Sequence, residues 1–286
     1  MAEPPQSLQV AILGCGSMGT SLLEGFLRKQ TSSRPLSLRL AGCTRSQPSI
    51  DRVRQRLGDQ ADRVELGYGD ASGEMAEKSE IVILGCPKED LTAALKTTKP
   101  GPRFADKTIV SLMAGLSADQ LQKELTSSGA PQNTAIVIVI PSFAARTGGS
   151  VSLLASPSTV SQERIDIVTQ LFEQVGSVLH VDEGLLMKGV AIGAACHALA
   201  VTAVDSIADA GVCEGVPRPL AGAFAAQFLR SAAGAMVDGM SPEQLKAALS
   251  TPKGITLNAV VDLDKAGARG AVIGAARGAV RYAESM

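Results

Sequence analysis

At 286 residues, 45% of them hydrophobic, the chain is long enough for two domains and a large buried core. Aromatic residues make up only 3% and Trp is missing, so that core must be built from Ala, Val, Leu and Ile. The formal charge is −1, with 27 Lys+Arg scattered among 28 Asp+Glu, which argues against a basic nucleic-acid stripe and against a charged tail.

The five cysteines, Cys15, Cys43, Cys86, Cys196 and Cys213, are odd in number and form no CxxC pair. Neither a disulfide framework nor a zinc site is expected, and they read as small core or loop residues. Residues 1–7 lack a basic segment followed by an apolar one, so no secretory signal is expected there. The longest apolar run, residues 189–204, is too short and too rich in Ala and Gly to predict a membrane span. These features predict a soluble, cytoplasmic protein with neither nucleic acid nor membrane as partner.

The first informative stretch is Gly14, Cys15, Gly16, Ser17, Met18 and Gly19. An apolar run at 8–13 precedes it and a helical pattern at 20–27 follows. Strand, glycine turn and helix in this order give a GxGxxG sequence the context that makes it a dinucleotide fingerprint. The first glycine permits the turn, the second lets a pyrophosphate approach the backbone, and the third lets helix and strand pack closely. The open N–H groups at the helix start then face the phosphates.

Residues 31–35 read as a loop and 36–43 as the second strand. An NAD-selective fold places a carboxylate at the end of that strand, for the ribose 2′-hydroxyl. Here Thr44, Arg45 and Ser46 follow instead. Arg45 can pair with a 2′-phosphate, and the two hydroxyls can donate to it, so the expected cofactor is NADP(H). A helix is expected at 50–57, a third strand at 64–66 and a short helix at 74–78. A continuous apolar strand follows at 81–85, as in the centre of a parallel sheet. Cys86 and Pro87 leave its carboxyl end, where such sheets bind ligands. The next strand spans 108–112 and exits through Ala114 and Gly115, which with Cys86 and Pro87 should lie beside the nicotinamide. Ser117 starts a capped helix. A sixth strand at 135–140 is stopped by Pro141. Strands at 151–155 and 177–181 flank a helix at 162–175 and can extend the same sheet; His180, at the end of the last, is read as packing only.

From residue 183 onward only helices are expected: 183–210, ended by Gly211 at the C′ position; 218–240, with Pro217 and Pro219 at its start; 242–249; then, after a turn at 251–254, two more. Their small-residue surfaces suit packing against a partner chain. The predicted fold class is an α/β Rossmann-type N-terminal domain, residues 1–182, joined to an all-helical C-terminal dimerisation domain, residues 183–286.

Together these pieces resemble the pyrroline-5-carboxylate reductase family over nearly the whole chain. The resemblance rests on residues 11–19, on Ser206 to Gly211, on Gly215 to Arg218, and above all on Thr251, Pro252, Lys253, Gly254, Ile255 and Thr256. The last group resembles the family's Ser/Thr-Pro-Gly-Gly-x-Thr turn. The resemblance implies NAD(P)H-dependent reduction of a cyclic imine to a secondary amine, with pyrroline-5-carboxylate as the default substrate. It implies a dimer or a larger homo-oligomer, with the helical domain building the substrate pocket. By matching position, Thr251 and Thr256 take hydroxyl roles toward a substrate carboxylate, and Gly254 and Ile255 backbone roles. Ser142 stands where the family has Asn, Lys253 where it has the first Gly, and Cys86-Pro87-Lys88 where it has Val-Lys-Pro. His197 lies in a segment where the family has Ser-Gly-Ser-Gly-Pro-Ala. His197 has the pKa class of a proton donor to the imine, and equally the character of a helix histidine satisfied by a carbonyl or at an interface. Thr256 suits substrate contact better than acid catalysis, and Lys253 either pairs with the carboxylate or stays solvated. The departures keep two alternatives open: another cyclic imine as substrate, or an NADP-binding protein without catalysis.

Overall fold

The computed structural model describes residues 7–28 and 36–285. The loop expected at 31–35 lies outside these. The chain divides into two compact units, Met1–Met187 and Lys188–Met286.

Unit 1 is built on one 8-stranded sheet. Its strands are β1 Leu8–Leu13, β2 Leu38–Thr44, β3 Val64–Tyr68, β4 Ile81–Leu84, β5 Thr108–Ser111, β6 Ala135–Pro141, β7 Ser150–Ala155 and β8 Gly176–His180. The spatial order is β3-β2-β1-β4-β5-β6-β7-β8, parallel except at the β6–β7 pair. The order reverses between β1 and β4, whose registers meet at Leu13↔Leu84. A crevice for ligands opens at such a reversal, outside the carboxyl ends of the strands.

The helices around the sheet are α1 Ser17–Leu27, α2 Gln47–Leu57, α3 Ala71–Lys78, α4 Leu91–Thr98, α5 Ala118–Ser127 and α6 Gln162–Glu173. Alternation along β1 divides the core into two layers. Val10 and Ile12 pack with Leu22, Leu23 and Phe26 of α1, and Phe26 meets Phe172 of α6 edge-on at 6.1 Å. Ala11 and Leu13 pack on the other face with Met75 of α3 and with Leu91 and Leu95 of α4. Burial of strands on both faces is what makes the 81–84 run continuously apolar. The expected cap of α5 is present as a full box: Ser117 Oγ accepts from Gln120 N, and Gln120 Oε1 from Ser117 N.

Three details of unit 1 differ from the sequence reading. Helix α4 was not expected; it is one short amphipathic stretch whose buried face is Leu91, Leu95 and Thr98. Pro141 does not stop β6 but ends it, opposite Ser152 of β7. The β5 ladder stops at Ser111↔Ile138, so Pro141 needs no N–H on that side. His180 is exposed, with Nε2 3.2 Å from Thr169 Oγ1, rather than packed.

Helix α7, Glu183–Cys213, carries the chain into unit 2, which holds α8 Arg218–Val237, α9 Pro242–Leu249, α10 Ile255–Lys265 and α11 Ala268–Glu284. Helix α7 does not end at Gly211. It runs on to Cys213, and Gly215, at φ 88°, supplies the left-handed residue. Val216 N donates to Gly211 O and Gly215 N to Val212 O, the two bonds of a Schellman end. Gly211 serves packing instead: a Cβ there would lie 3.3 Å from Ala221 Cβ of α8. Helix α8 closes in the same way around Gly239, at φ 104°, three residues earlier than the sequence reading placed its end. By length and composition alone α7, which extends well past the apolar run at 189–204, and α8 are both long and apolar enough to cross a membrane.

Candidate functional site

A cavity of about 710 Å³ lies at the β1/β4 reversal, within the range of nucleotide and small-molecule sites. The glycine turn forms its floor. Gly14 has φ 104°, and a Cβ there would stand 2.6 Å from Cys86 N and 2.8 Å from Gly85 C. The turn is thus pressed against the exit of β4 with no room for a side chain. Gly19 is equally constrained, since its Cβ would meet Gly14 O at 2.5 Å. Gly16 is different: it lines the cavity, and nothing stands within 4 Å of its Cβ position. That is a backbone surface open to a ligand where a side chain would intrude.

Main-chain and side-chain bonds fix this turn. Gly14 N and Cys15 N both donate to Cys43 O, at 3.0 and 2.9 Å. Thr20 Oγ1 donates to Gly16 O at 2.7 Å. Gly16 is the N-cap of α1 with no side chain capping it, and the first turn carries no acidic residue. Its positive dipole end is therefore uncompensated and faces the cavity. Burial pushes the Cys15 thiol up to about 12, helped by the neighbouring Cys43. Burial likewise pushes Cys43 up to about 11 and raises Cys86. These thiols stay neutral below an anion site, where thiolates would repel a phosphate.

Of the residues expected around a cofactor, Gly14, Gly16, Ser17, Thr44, Arg45, Cys86 and Pro87 line this one cavity. Met18, Gly19, Ser46, Ala114 and Gly115 do not. Ser46 is instead the N-cap of α2, with Oγ 3.2 Å from Ser49 Oγ, and Thr44 Oγ1 donates to Ser46 O. Ala114 and Gly115 are exposed just past the end of β5, with Gly115 at φ 76°. The cavity wall also includes residues the sequence reading did not single out: Ser49, Arg52 and Arg56 on α2, and Asp90 after β4. Their 3–4 spacing on α2 was the available signal. Arg45 pairs with Asp90 at 3.3 Å.

Ser142 follows β6 and is tied into a hydroxyl cluster. Its Oγ accepts from Val151 N at 3.1 Å, and its N–H donates to Ser150 Oγ at 3.1 Å. The residues from Thr251 to Thr256 form a tight turn in unit 2, where Gly254 N donates to Thr251 O at 2.8 Å. Lys253 sits at φ 61°, a left-handed position that favours glycine. Gly254 is sterically required: a Cβ would meet Thr251 Oγ1 at 2.5 Å. Gly254 caps α10 without a side-chain bond, so the N-terminus of α10, with Ile255 and Thr256 exposed, is a second uncompensated helix start. His197 is exposed on α7. Among the described residues no His, Cys, Asp or Glu cluster suited to a metal is found.

Residues 183–286 match the model of pyrroline-5-carboxylate reductase dimerisation. Residues 9–115 match the model described as NADP oxidoreductase, coenzyme F420-dependent. A pyrroline-5-carboxylate reductase of Neurospora crassa is 27% identical over 312 residues, covering 98% of this chain and 93% of that protein. Over nearly its whole length the chain is similar to pyrroline-5-carboxylate reductases. The family fold is seen in solved structures. A Plasmodium falciparum pyrroline carboxylate reductase with NADP bound superposes with TM-score 0.74, at 20% identity, over 99% of both chains. A Coxiella burnetii pyrroline-5-carboxylate reductase superposes with TM-score 0.79, at 19% identity, over 98% of both. The family's dimerisation model takes in the turn from Thr251 to Thr256 as well as His197.

Proposed function

We propose that the protein reduces a cyclic imine to a secondary amine with NADPH, the substrate being pyrroline-5-carboxylate and the product proline. The reading is carried by the match of residues 183–286 to the family's dimerisation model, joined in one chain to the glycine cradle of unit 1. The residues present fit NADP(H). Gly14, Gly16 and Ser17 hold the pyrophosphate by backbone approach and the N-terminus of α1. Thr44, Arg45 and Ser46 serve the 2′-phosphate, and Cys86, Pro87, Ala114 and Gly115 border the nicotinamide side. Once bound, NADPH supplies the hydride for the imine carbon.

The protein's own part is binding and orientation. In unit 2, Thr251, Lys253, Gly254, Ile255 and Thr256 receive the substrate carboxylate through N–H groups, hydroxyls and the ammonium. His197 donates the proton to the imine nitrogen. Unit 2, with residues 183–286 as a dimerisation and substrate domain, packs against a second copy. That assigns the apolar surfaces of α7 and α8 to protein rather than lipid. Five free cysteines fit a reducing, cytoplasmic setting. Lys253 and Ser142 favour one variation on this reading, an imine carrying its acidic group differently.

The test is loss of NADPH absorbance in purified protein, over cyclic imines with and without an adjacent carboxylate. Oxidation on adding pyrroline-5-carboxylate is expected. Turnover with another imine alone replaces the substrate, and binding of NADPH without turnover on any of them removes the enzymatic reading. Light scattering without detergent should give a homodimer or larger.

A further inference from the structure

Three arginines line the cavity, and they differ in what already neutralises them. Arg45 is paired with Asp90. Arg56 is held by Glu24 and also donates to Ser21 Oγ at 3.2 Å. Arg52 forms no ion pair among the described residues. Its guanidinium donates to Ser49 Oγ at 2.8 Å, and Ser49 Oγ lies 3.2 Å from the hydroxyl of Ser46, the N-cap of α2. No side chain caps that helix start. Ser46, Ser49 and Arg52 thus gather at an uncompensated helix N-terminus, at the cavity wall, with one surplus positive charge.

We propose that Arg52, oriented by Ser49, is the principal cation for the 2′-phosphate of NADP(H), and that Arg45 is a second ligand that must first leave Asp90. The proposal rests on the cofactor reading above. A 2′-phosphate carries close to two negative charges at neutral pH and three acceptor oxygens, which a guanidinium and serine hydroxyls match. Arg52 meets it with its charge unspent. Arg45 meets it only by exchanging one anion for another. The exchange is easy, because the Arg45 side chain is 84% exposed and such a pair is weak. The Asp90 carboxylate, which lines the same cavity, then opposes the phosphate. Cofactor choice is therefore set by a contest between Arg52 and Asp90, with Arg45 passing between them.

Calorimetric titration of the full-length protein tests this with two ligand pairs, NADPH against NADH and adenosine 2′,5′-bisphosphate against adenosine 5′-monophosphate. Arg52→Gln should weaken NADPH and the bisphosphate at least about tenfold, while NADH and the monophosphate hold within about twofold. Arg45→Gln should lose less. Asp90→Asn should bind NADPH more tightly with NADH unchanged, and Arg52→Lys should fall between wild type and Arg52→Gln. Arg52 is exposed, so melting curves should show these variants folded. Wild-type NADPH affinity in Arg52→Gln overturns the proposal, as does equal weakening of NADPH and NADH. A wild-type protein that binds neither dinucleotide fails the cofactor reading itself, and the assignment of Arg52 falls with it.

Discussion

Alanine at Gly14 and at Gly16 should separate the fold of the glycine turn from its use. At Gly14 the added methyl meets main-chain atoms, Cys86 N at 2.6 Å and Gly85 C at 2.8 Å, which cannot swing aside as a side-chain tip would. The φ of 104° adds backbone strain. Strain of about 1–2 kcal/mol and overpacking of about 1–3 kcal/mol give a loss of about 3 kcal/mol, or roughly 10 °C in melting temperature for a unit of this size. At Gly16 the φ is −75° and the methyl meets nothing within 4 Å. A poorer N-cap and a less flexible unfolded chain oppose one another there, so stability should move by less than about 1 kcal/mol. The methyl does occupy the approach to the N–H groups of α1. Losing one charge-assisted bond of about 1.5–3 kcal/mol weakens NADPH and NADH alike, about tenfold or more. Differential scanning calorimetry of the free protein and titration with both dinucleotides make the comparison. Gly14→Ala melting like wild type refutes the steric account. Gly16→Ala binding both dinucleotides like wild type refutes the assignment of that surface to the pyrophosphate.

Lys253→Gly should stabilise unit 2 by about 0.5–1 kcal/mol by relieving the left-handed lysine, read from urea unfolding; a loss of stability contradicts the strain. Thr256→Ala should lower kcat/KM for the imine about tenfold through KM, and unchanged NADPH affinity in a titration separates this from a folding defect. Stability should also fall at high pH because of Cys15. Its thiol keeps its proton up to about 12 in the folded chain, whereas the unfolded chain releases it above the ordinary thiol value of 9.0. Between those values the folded state binds more protons, so unfolding becomes easier by up to about 1.4 kcal/mol per pH unit. Denaturation curves of wild type and Cys15→Ala should hold a constant difference below pH 9 and change it above; a constant difference throughout would place the thiol in water.

The nucleotide half was legible because its chemistry depends on residues that cannot be exchanged. A positive φ at Gly14 and a bare backbone at Gly16 each demand glycine, and their spacing survives in the letters. The α5 start was legible for a similar reason, since a capping box is local. Interactions between distant segments were not. That Arg52 faces the cavity depends on the phase of α2 against the exit of β4, where Asp90 stands. Whether Gly211 or Gly215 ends α7 depends on Ala221, one helix further on. Helix α4 was missed because it holds only two strong apolar anchors, Leu91 and Leu95, and closes on threonines.

The two units also differ in how far one chain completes them. Unit 1 closes its own core on both faces of the sheet, and seven of the twelve expected cofactor residues line one cavity within it. Unit 2 leaves large apolar side chains in water: Val237 is 84% exposed, Ile255 89%, and the rings of Phe224 and Phe228 meet at a tilt, 6.3 Å apart, on an open face of α8. Full burial of each such side chain is worth about 1.5–3 kcal/mol, so covering these four alone is worth several kcal/mol. The dimerisation match assigns that cover to another protein surface. Ile255 belongs both to this uncovered surface and to the turn proposed above for the substrate, so on that proposal the residues that choose the imine take their working environment from assembly, and those that choose the dinucleotide take theirs from folding.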